Sequence, residues 1–361
     1  MIAMAKPCLG VEEKEAVSKV IDSGMIAHGT VVEEFNREFS AYMGVRHGIA
    51  TSNGTTALEV ALRALGIGPG DKVLTTPYSF IASTNSIIYT GATPVFADID
   101  PETFNIAADK VEDKLKKNPD IRALQIVHLF GQPCDMDAIM TLVKKYNLLL
   151  VEDCAQAHNA AFGNKKVGTF GNAAAFSFYP TKNMTTGEGG MVITNDDKVA
   201  ERCSLLVSHG MKVRYYHDII GYNYRMTNVA AAIGLCQLKK LEGFNNSRNK
   251  NADFYNKNIN NQYVQTPHKL DGIYHCYHQY TIRIKNGRRD DFTKYLGSNN
   301  IGFGVFYPIS IPEQKCYEGM NMENDFPATD KTKLEVVSLP VHPLLTEEEV
   351  ATVVKVINEF K

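Results

Sequence analysis

Apolar residues recur along this chain with two different spacings, and the alternation between them predicts its architecture. Val17, Val20 and Ile21 fall at helical spacing between Glu12 and Ser23, closed by Gly24, and a second amphipathic stretch runs from Val31 to Tyr42. The pair reads as an N-terminal arm. A short apolar run then ends in Ser52-Asn53-Gly54, and Ala57, Leu58, Ala61, Leu62 and Leu65 mark the apolar face of a helix expected to begin at Thr55 or Thr56. From there strands (KVLTT, TPVFADI, RALQIVHLF, LLLVED) alternate with helical patterns (SFIASTNSIIYTG, DKVEDKLKK, DMDAIMTLVKKYN). Continuous apolar strands separated by helices predict an α/β fold built on a mostly parallel sheet covered on both faces, with ligands bound beyond the carboxyl ends of the strands.

The stretch Gly171 to Asn195 reads as strand, exposed loop, strand, with apolar runs at Ala173–Phe178 and Met191–Thr194. Helical spacing returns over Asp196–Val207 and over Asn228–Leu241. The polar, asparagine-rich segment that follows predicts a domain boundary near Gly243: an arm and large domain over 1–243, and a smaller C-terminal α/β domain over 244–361. In the latter, YHQYTIRI and IGFGVFYPI read as strands, RDDFTKYLGS as a helix, and the last 32 residues as two helices around Leu339-Pro340.

Composition narrows the functional classes. With 361 residues and 44% hydrophobic content the chain can bury one large core and a smaller second one. A formal charge of -2 speaks against a nucleic-acid surface, though not against a local pocket for a phosphorylated ligand. No run reaches the roughly 18 apolar residues of a membrane span, and the start lacks a basic segment followed by an apolar one, so a cytoplasmic protein with no membrane partner is expected. The seven cysteines are scattered with no CxxC pair. His275, Cys276 and His278 are the nearest thing to a metal cluster, but in a strand His275 and Cys276 face opposite ways, so no metal site is expected.

Lys182 is the foremost chemical candidate. It follows Tyr179-Pro180-Thr181 and precedes Gly187, Gly189 and Gly190, a loop whose glycines let backbone approach a ligand closely. Desolvation between strands favours the neutral amine, which can attack a carbonyl or pyridoxal phosphate; the alternative is a solvated lysine in a hairpin-like turn. Gly54, Thr55 and Thr56 at a helix start offer free N–H groups to a phosphate, or form an ordinary cap. Asp153 ends LLLVED and Phe80 follows KVLTTP, both at carboxyl ends of strands. Beside a phosphate site and a lysine, Asp153 could keep a pyridine nitrogen protonated, Gln156 could bond a ring hydroxyl and Phe80 could stack on the ring. His158 fits either the site or a packed core.

SNGTTAL, TPYSF, VHLFGQPCDMDAI, VEDCAQAH, GTFGNAAAFSFYPTKNMTTGEGG, GYNYRMTNVAAAIGLCQLKKL and SLPVHPLLTEEE, in this order, resemble the DegT/DnrJ/EryC1/StrS aminotransferases over essentially the whole chain. The resemblance implies the aspartate-aminotransferase-like fold (pyridoxal-phosphate fold type I), pyridoxal 5'-phosphate as cofactor, and a homodimer with shared active sites. It also implies amino transfer from an amino acid, L-glutamate foremost, to a nucleotide-linked keto sugar. Position by position, Lys182 is similar to the lysine that binds the cofactor covalently, Asp153 to the partner of its ring nitrogen, Gln156 to the residue near the ring hydroxyl and Phe80 to the stacking aromatic. Gly54, Thr55, Thr56 and Ser177 resemble the phosphate cradle, with Asn223 contributed by the other subunit. Lys212, Arg214 and Arg225 lie in a loop region suited to anionic substrates, Arg225 being the one chosen as a substrate contact. The retained lysine favours amino transfer over the dehydration performed by members that carry histidine there. Asn159 departs from the family, which often has glycine after EDxAQAH. Two other readings stand beside this one: a catalytically silent regulatory or binding protein of the same fold, and a cysteine desulfurase using Cys316.

Overall fold

The computed structural model describes residues 1–361. Its centre is a seven-stranded sheet in the order 47–51, 190–194, 173–177, 149–153, 121–127, 72–75, 93–96. Only Gly190–Thr194 runs against its neighbours; the strands on either side of it and all those beyond share one direction. The mostly parallel sheet is as expected, and its consequence is that Thr51, Val127, Asp153 and Ser177 all finish at the same edge. In register, Val127 lies opposite Asp153, and Asp153 opposite Ala175.

Both faces are covered. Helices Gly54–Ala64 and Asp197–Val207 pack one face through Leu58, Leu62, Cys203 and Leu206. The other face carries Phe176 and Phe178 against Phe35 and Phe39 of helix Thr30–Met43, with edge-on ring pairs at 5.1 and 5.3 Å. That helix is therefore core and not part of an arm: Val32, Phe35 and Phe39 are fully buried. Helix Val11–Asp22 alone keeps the outlying character, tied down where Glu13 accepts from Gln237 (2.9 Å) and Lys240 (2.7 Å).

A second apolar cluster, drawn from Ala252 to Phe360, is built on the small sheet 264–265, 280–284, 336–339 and on helix Glu347–Glu359. Helix Asn228–Asn258 runs unbroken from one core to the other, through Gly243 and beyond the Leu241 end expected for it. Its asparagines explain the continuation. Asn245 donates to the His158 carbonyl at 2.9 Å, Asn249 to that of His275 at 3.0 Å and Asn251 to that of His342 at 3.3 Å, so a polar sequence satisfies buried backbone of three separate segments. Two other expectations change. Val336–Leu339 is a strand paired with Tyr280–Arg283, preceded by helix Pro327–Glu335. IGFGVFYPI forms single bridges at Ile301 and Gly304, and no strand. No helix is long and apolar enough to cross a membrane.

Candidate active site

The shared strand edge opens into a cavity of about 1270 Å³. Four segments of the sheet edge reach it. The strand ending at Thr51 turns into helix Gly54–Ala64, capped by Asn53, whose side chain accepts from the Thr56 N–H at 2.9 Å while the Thr56 hydroxyl lies 3.2 Å from the Asn53 N–H. The helix begins at Gly54, ahead of the Thr55 or Thr56 expected. Gly54 and Thr55 lie in its first turn, whose N–H groups have no intrahelical acceptor. A Cβ on Gly54 would stand 2.6 Å from the Ser177 Cβ, so only glycine lets this helix start approach the end of strand Ala173–Ser177. Thr56 and Ser177 line the same wall.

Lys182 also faces this cavity, and the loop around it is largely buried, contrary to the exposed loop expected: Asn183, Met184, Thr185 and Thr186 are each 3% exposed or less. The flanking strands do pair as a hairpin, yet the Thr185 hydroxyl donates to the Phe178 carbonyl at 2.8 Å and draws the loop inward. Burial lowers the Lys182 amine to about 8, with the Asp153 carboxylate opposing that fall. Asp153 is itself buried and accepts from the Ser83 hydroxyl at 2.8 Å and the Ala155 N–H at 3.0 Å. Desolvation raises its pKa; these two hydrogen bonds and the Lys182 charge pull the other way.

Gln156 is fixed at both ends of its amide: the oxygen accepts from the Phe130 N–H at 2.8 Å, and the nitrogen donates to the Tyr307 hydroxyl at 3.1 Å. Phe80 presents its ring to the cavity, 6.2 Å from the Tyr307 ring. His158 lies behind this wall between Phe176 and Phe178, its ring nitrogens unpaired with any side chain; burial, reinforced by the Lys182 charge, lowers it to about 3, so it is a neutral packed ring. Asn159 has a φ of 64°, the left-handed region where glycine is commonest and asparagine next, so the departure at this position preserves the backbone.

Asn223 and Arg225 are not brought to this cavity. Asn223 is exposed and bridges to Ser208, and Arg225 reaches the Ser208 hydroxyl at 3.5 Å. Cys316 is exposed in a turn outside the cavity wall. His275, Cys276 and His278 turn to separate partners: His275 accepts from the Tyr277 N–H, Cys276 faces the Gln156 carbonyl, and His278 lies 3.3 Å from the Asn183 amide oxygen. Sequence reading missed Ser83, Arg248, Gln279, Tyr307 and His342, all in the cavity wall. None sits in a glycine-rich or strand-end motif, the signal that marked the others.

Pyridoxal phosphate fits these residues. A helix start closed to any side chain at Gly54 can receive a phosphate, a buried carboxylate can face a ring nitrogen, and a lysine whose amine burial lowers can bind an aldehyde.

The chain is 39% identical over 364 residues to GDP-perosamine synthase of Escherichia coli O157:H7, covering 99% of this chain and 98% of that protein. It is 40% identical over 354 residues to a pleiotropic regulatory protein of Geobacillus stearothermophilus, covering 97% and 94%. It matches the crystal structure of S. venezuelae DesV, determined in complex with a ketimine intermediate, with a TM-score of 0.92 at 33% identity, covering 96% and 94%. Fold and site together are those of a pyridoxal-phosphate-dependent aminotransferase. The chain belongs to the DegT/DnrJ/EryC1/StrS aminotransferase family, whose profile matches residues 7–358.

Proposed function

We propose that this aminotransferase moves the amino group of an amino acid, L-glutamate foremost, onto the 3- or 4-keto group of a nucleotide-linked sugar, in the synthesis of amino sugars for surface polysaccharides. One observation carries the reading: Lys182, Asp153 and the start of helix Gly54–Ala64 converge on a single cavity. Its volume of about 1270 Å³ exceeds the range of roughly 300 to 1,000 Å³ common for small-molecule pockets, room for a cofactor and a large second ligand. The name of the E. coli relative supports a nucleotide-sugar substrate.

When bound, pyridoxal phosphate supplies a protonated ring that takes up electrons from a substrate carbon and carries nitrogen between two substrates. In this reading Gly54, Thr55, Thr56 and Ser177 hold its phosphate, Asp153 its ring nitrogen, Gln156 its ring hydroxyl, and Phe80 covers its face. The Lys182 amine binds it covalently. With the cofactor in place, the same amine would act as general base toward the proton on the donor's α-carbon, and would serve the keto-sugar half of the reaction in the same role. The Ser83 hydroxyl and the Ala155 N–H favour the anionic form of Asp153 against its burial, and in that form it would stabilise the positive charge beside it.

The cavity wall of one chain contains the acids Glu59, Asp153 and Glu188 against the cations Lys182 and Arg248. Phosphate, diphosphate and carboxylate ligands call for more positive charge, which favours a homodimer with Asn223, and Arg225 as a substrate contact, supplied across the interface. The hairpin Met211–His217 carries Lys212 and Arg214 together with Tyr215, 74% exposed, and supplies an apolar face for that contact. The two cores support a division into an arm and large domain (1–243) and a small domain (244–361) joined by one helix. Seven cysteines without a disulfide are consistent with a cytoplasmic location.

The Geobacillus relative's name keeps a second reading in view, a protein of this fold that regulates and catalyses nothing. Glutamate added to the purified holoenzyme decides between them: loss of the cofactor's near-visible absorbance is expected, and a spectrum indifferent to every amino acid would favour regulation. Borohydride reduction and peptide mapping should put the cofactor on Lys182. A label on another lysine, or full activity in Lys182→Ala, would overturn the assignment.

A further inference from the structure

Helix Asn228–Asn258 buries one arginine at the cavity. Arg248 is 5% exposed, and no carboxylate pairs with it; the group with opposing potential charge is the Cys276 thiol, which burial pushes up to about 12 and so keeps neutral. Its Nη1 donates to the carbonyls of Tyr277 and His278, each at 3.1 Å. The other edge of the guanidinium is unused: Nε is sealed from solvent without a partner, and Nη2 has no protein acceptor. The surrounding side chains only add donors or neutral rings. His278 and His342 line the same wall, both held below the usual histidine range by burial first, and Gln279 stands beside them with its oxygen already taken by Ser338 at 2.8 Å. A buried guanidinium with part of its donors unpaired favours a ligand that brings acceptors and opposite charge. Its planar fork matches a carboxylate.

We propose that Arg248 anchors the amino donor, taking its carboxylate on the unused side of its guanidinium through Nη2 while the donor's amine points toward Lys182. The inference rests on the aminotransfer reading above. The donor fits this wall better than the sugar's diphosphate does. Lys182 and Arg248 line one cavity, so a donor held by Arg248 has its reacting end in the same space as the lysine. A diphosphate spreads its charge over two linked groups, whereas the guanidinium has one unused side, enough for a single carboxylate.

Arg248→Lys keeps the charge and guards against misfolding; Arg248→Gln removes it. In the cofactor-loaded enzyme the half-saturating glutamate concentration should rise about tenfold for lysine and about a hundredfold for glutamine. The KM for the keto sugar and inhibition by UDP, GDP and dTDP should stay within about twofold. Glutarate, a dicarboxylate without an amine, should bind wild-type holoenzyme by calorimetry and bind Arg248→Lys about tenfold more weakly. Unchanged glutamate and glutarate affinities overturn the proposal. Equal losses for donor and sugar overturn it as well, since they mark Arg248 as a clamp on the 277–278 backbone or a diphosphate contact. Should the wild type bind glutarate through Arg248 yet never react with an amino acid, the carboxylate site stands and the aminotransfer reading falls.

Discussion

At the scale of single residues, the proposed chemistry turns on one amine that burial perturbs, beside one buried acid. Lysine's ordinary value is 10.5, and burial lowers Lys182 to about 8 although Asp153 holds it back. The neutral amine is the form that attacks an aldehyde, so uptake of pyridoxal phosphate by the apoprotein should quicken with rising pH, about tenfold per unit, and level off above about 8. Stopped-flow absorbance across pH 6 to 10 reads this profile. A rate still climbing in proportion beyond pH 9 would mean that the lysine titrates as an ordinary exposed one. Replacing Asp153 by asparagine removes the charge that favours the ammonium, so its profile should level off at lower pH; a midpoint moved upward would contradict the contact. Asn159 shows residue-level reasoning from the other side: a departure from the family's glycine is explained by a left-handed backbone that asparagine tolerates.

At the scale of elements, the sheet edge depends on a carboxylate that takes no part in the chemistry. Glu152, next to Asp153 and pointing to the opposite face, is fully buried and accepts from the N–H groups of Gly168 (2.7 Å), Phe170 (2.8 Å) and Gly171 (2.7 Å). His128 Nε2 adds a fourth contact at 3.1 Å, its other ring nitrogen accepting from the Cys134 N–H. One side chain thus fastens the turn that feeds strand Ala173–Ser177, and with it Ser177. Glu152→Gln puts an NH₂ group against backbone donors and should cost about 3 to 5 kcal/mol, read as a lower midpoint in urea with an unchanged slope. A midpoint within the error of wild type would show that the turn holds without it. The same scale explains what the sequence could reveal. The alternating strands and helices from Gly54 to Val207 carry their own periodicity, and the phosphate, aldehyde and ring-nitrogen candidates lie at their ends, so they could be read locally. The asparagine-rich half of helix Asn228–Asn258 has poor intrinsic propensity and is helical because its amides meet carbonyls from distant segments. Likewise IGFGVFYPI has strand composition, yet the Tyr78 hydroxyl donates to the Phe306 carbonyl (2.8 Å) and accepts from the Tyr307 N–H (2.9 Å), pinning it to the cavity wall as irregular chain. Ser83, Arg248 and Tyr307 became visible only through such long-range contacts.

At the scale of the whole molecule, the question is whether one chain makes one site. The residues that converge on the cavity bring two cations against three acids, while Asn223 and Arg225 lie outside it, in the segment that follows the hairpin Met211–His217 and includes Ile220, 88% exposed. If a second copy places Asn223 in the first copy's phosphate cradle, then Lys182 and Asn223 of one chain serve different sites. Two inactive proteins should then complement each other. Lys182→Ala and Asn223→Ala, each impaired alone, when unfolded together and refolded in equal amounts should form mixed dimers as about half of the population, each with one intact site, returning about a quarter of wild-type activity. If both residues served the site of their own chain, every mixed dimer would contain one site lacking the lysine and one lacking the asparagine, and mixing would add nothing to the average of the separate proteins. Sedimentation of each variant before mixing guards the comparison, since a variant that no longer dimerises would fail to complement for want of contact. Activity rising well above that average requires two chains around one cofactor; activity equal to it puts Asn223 back on the surface of its own chain.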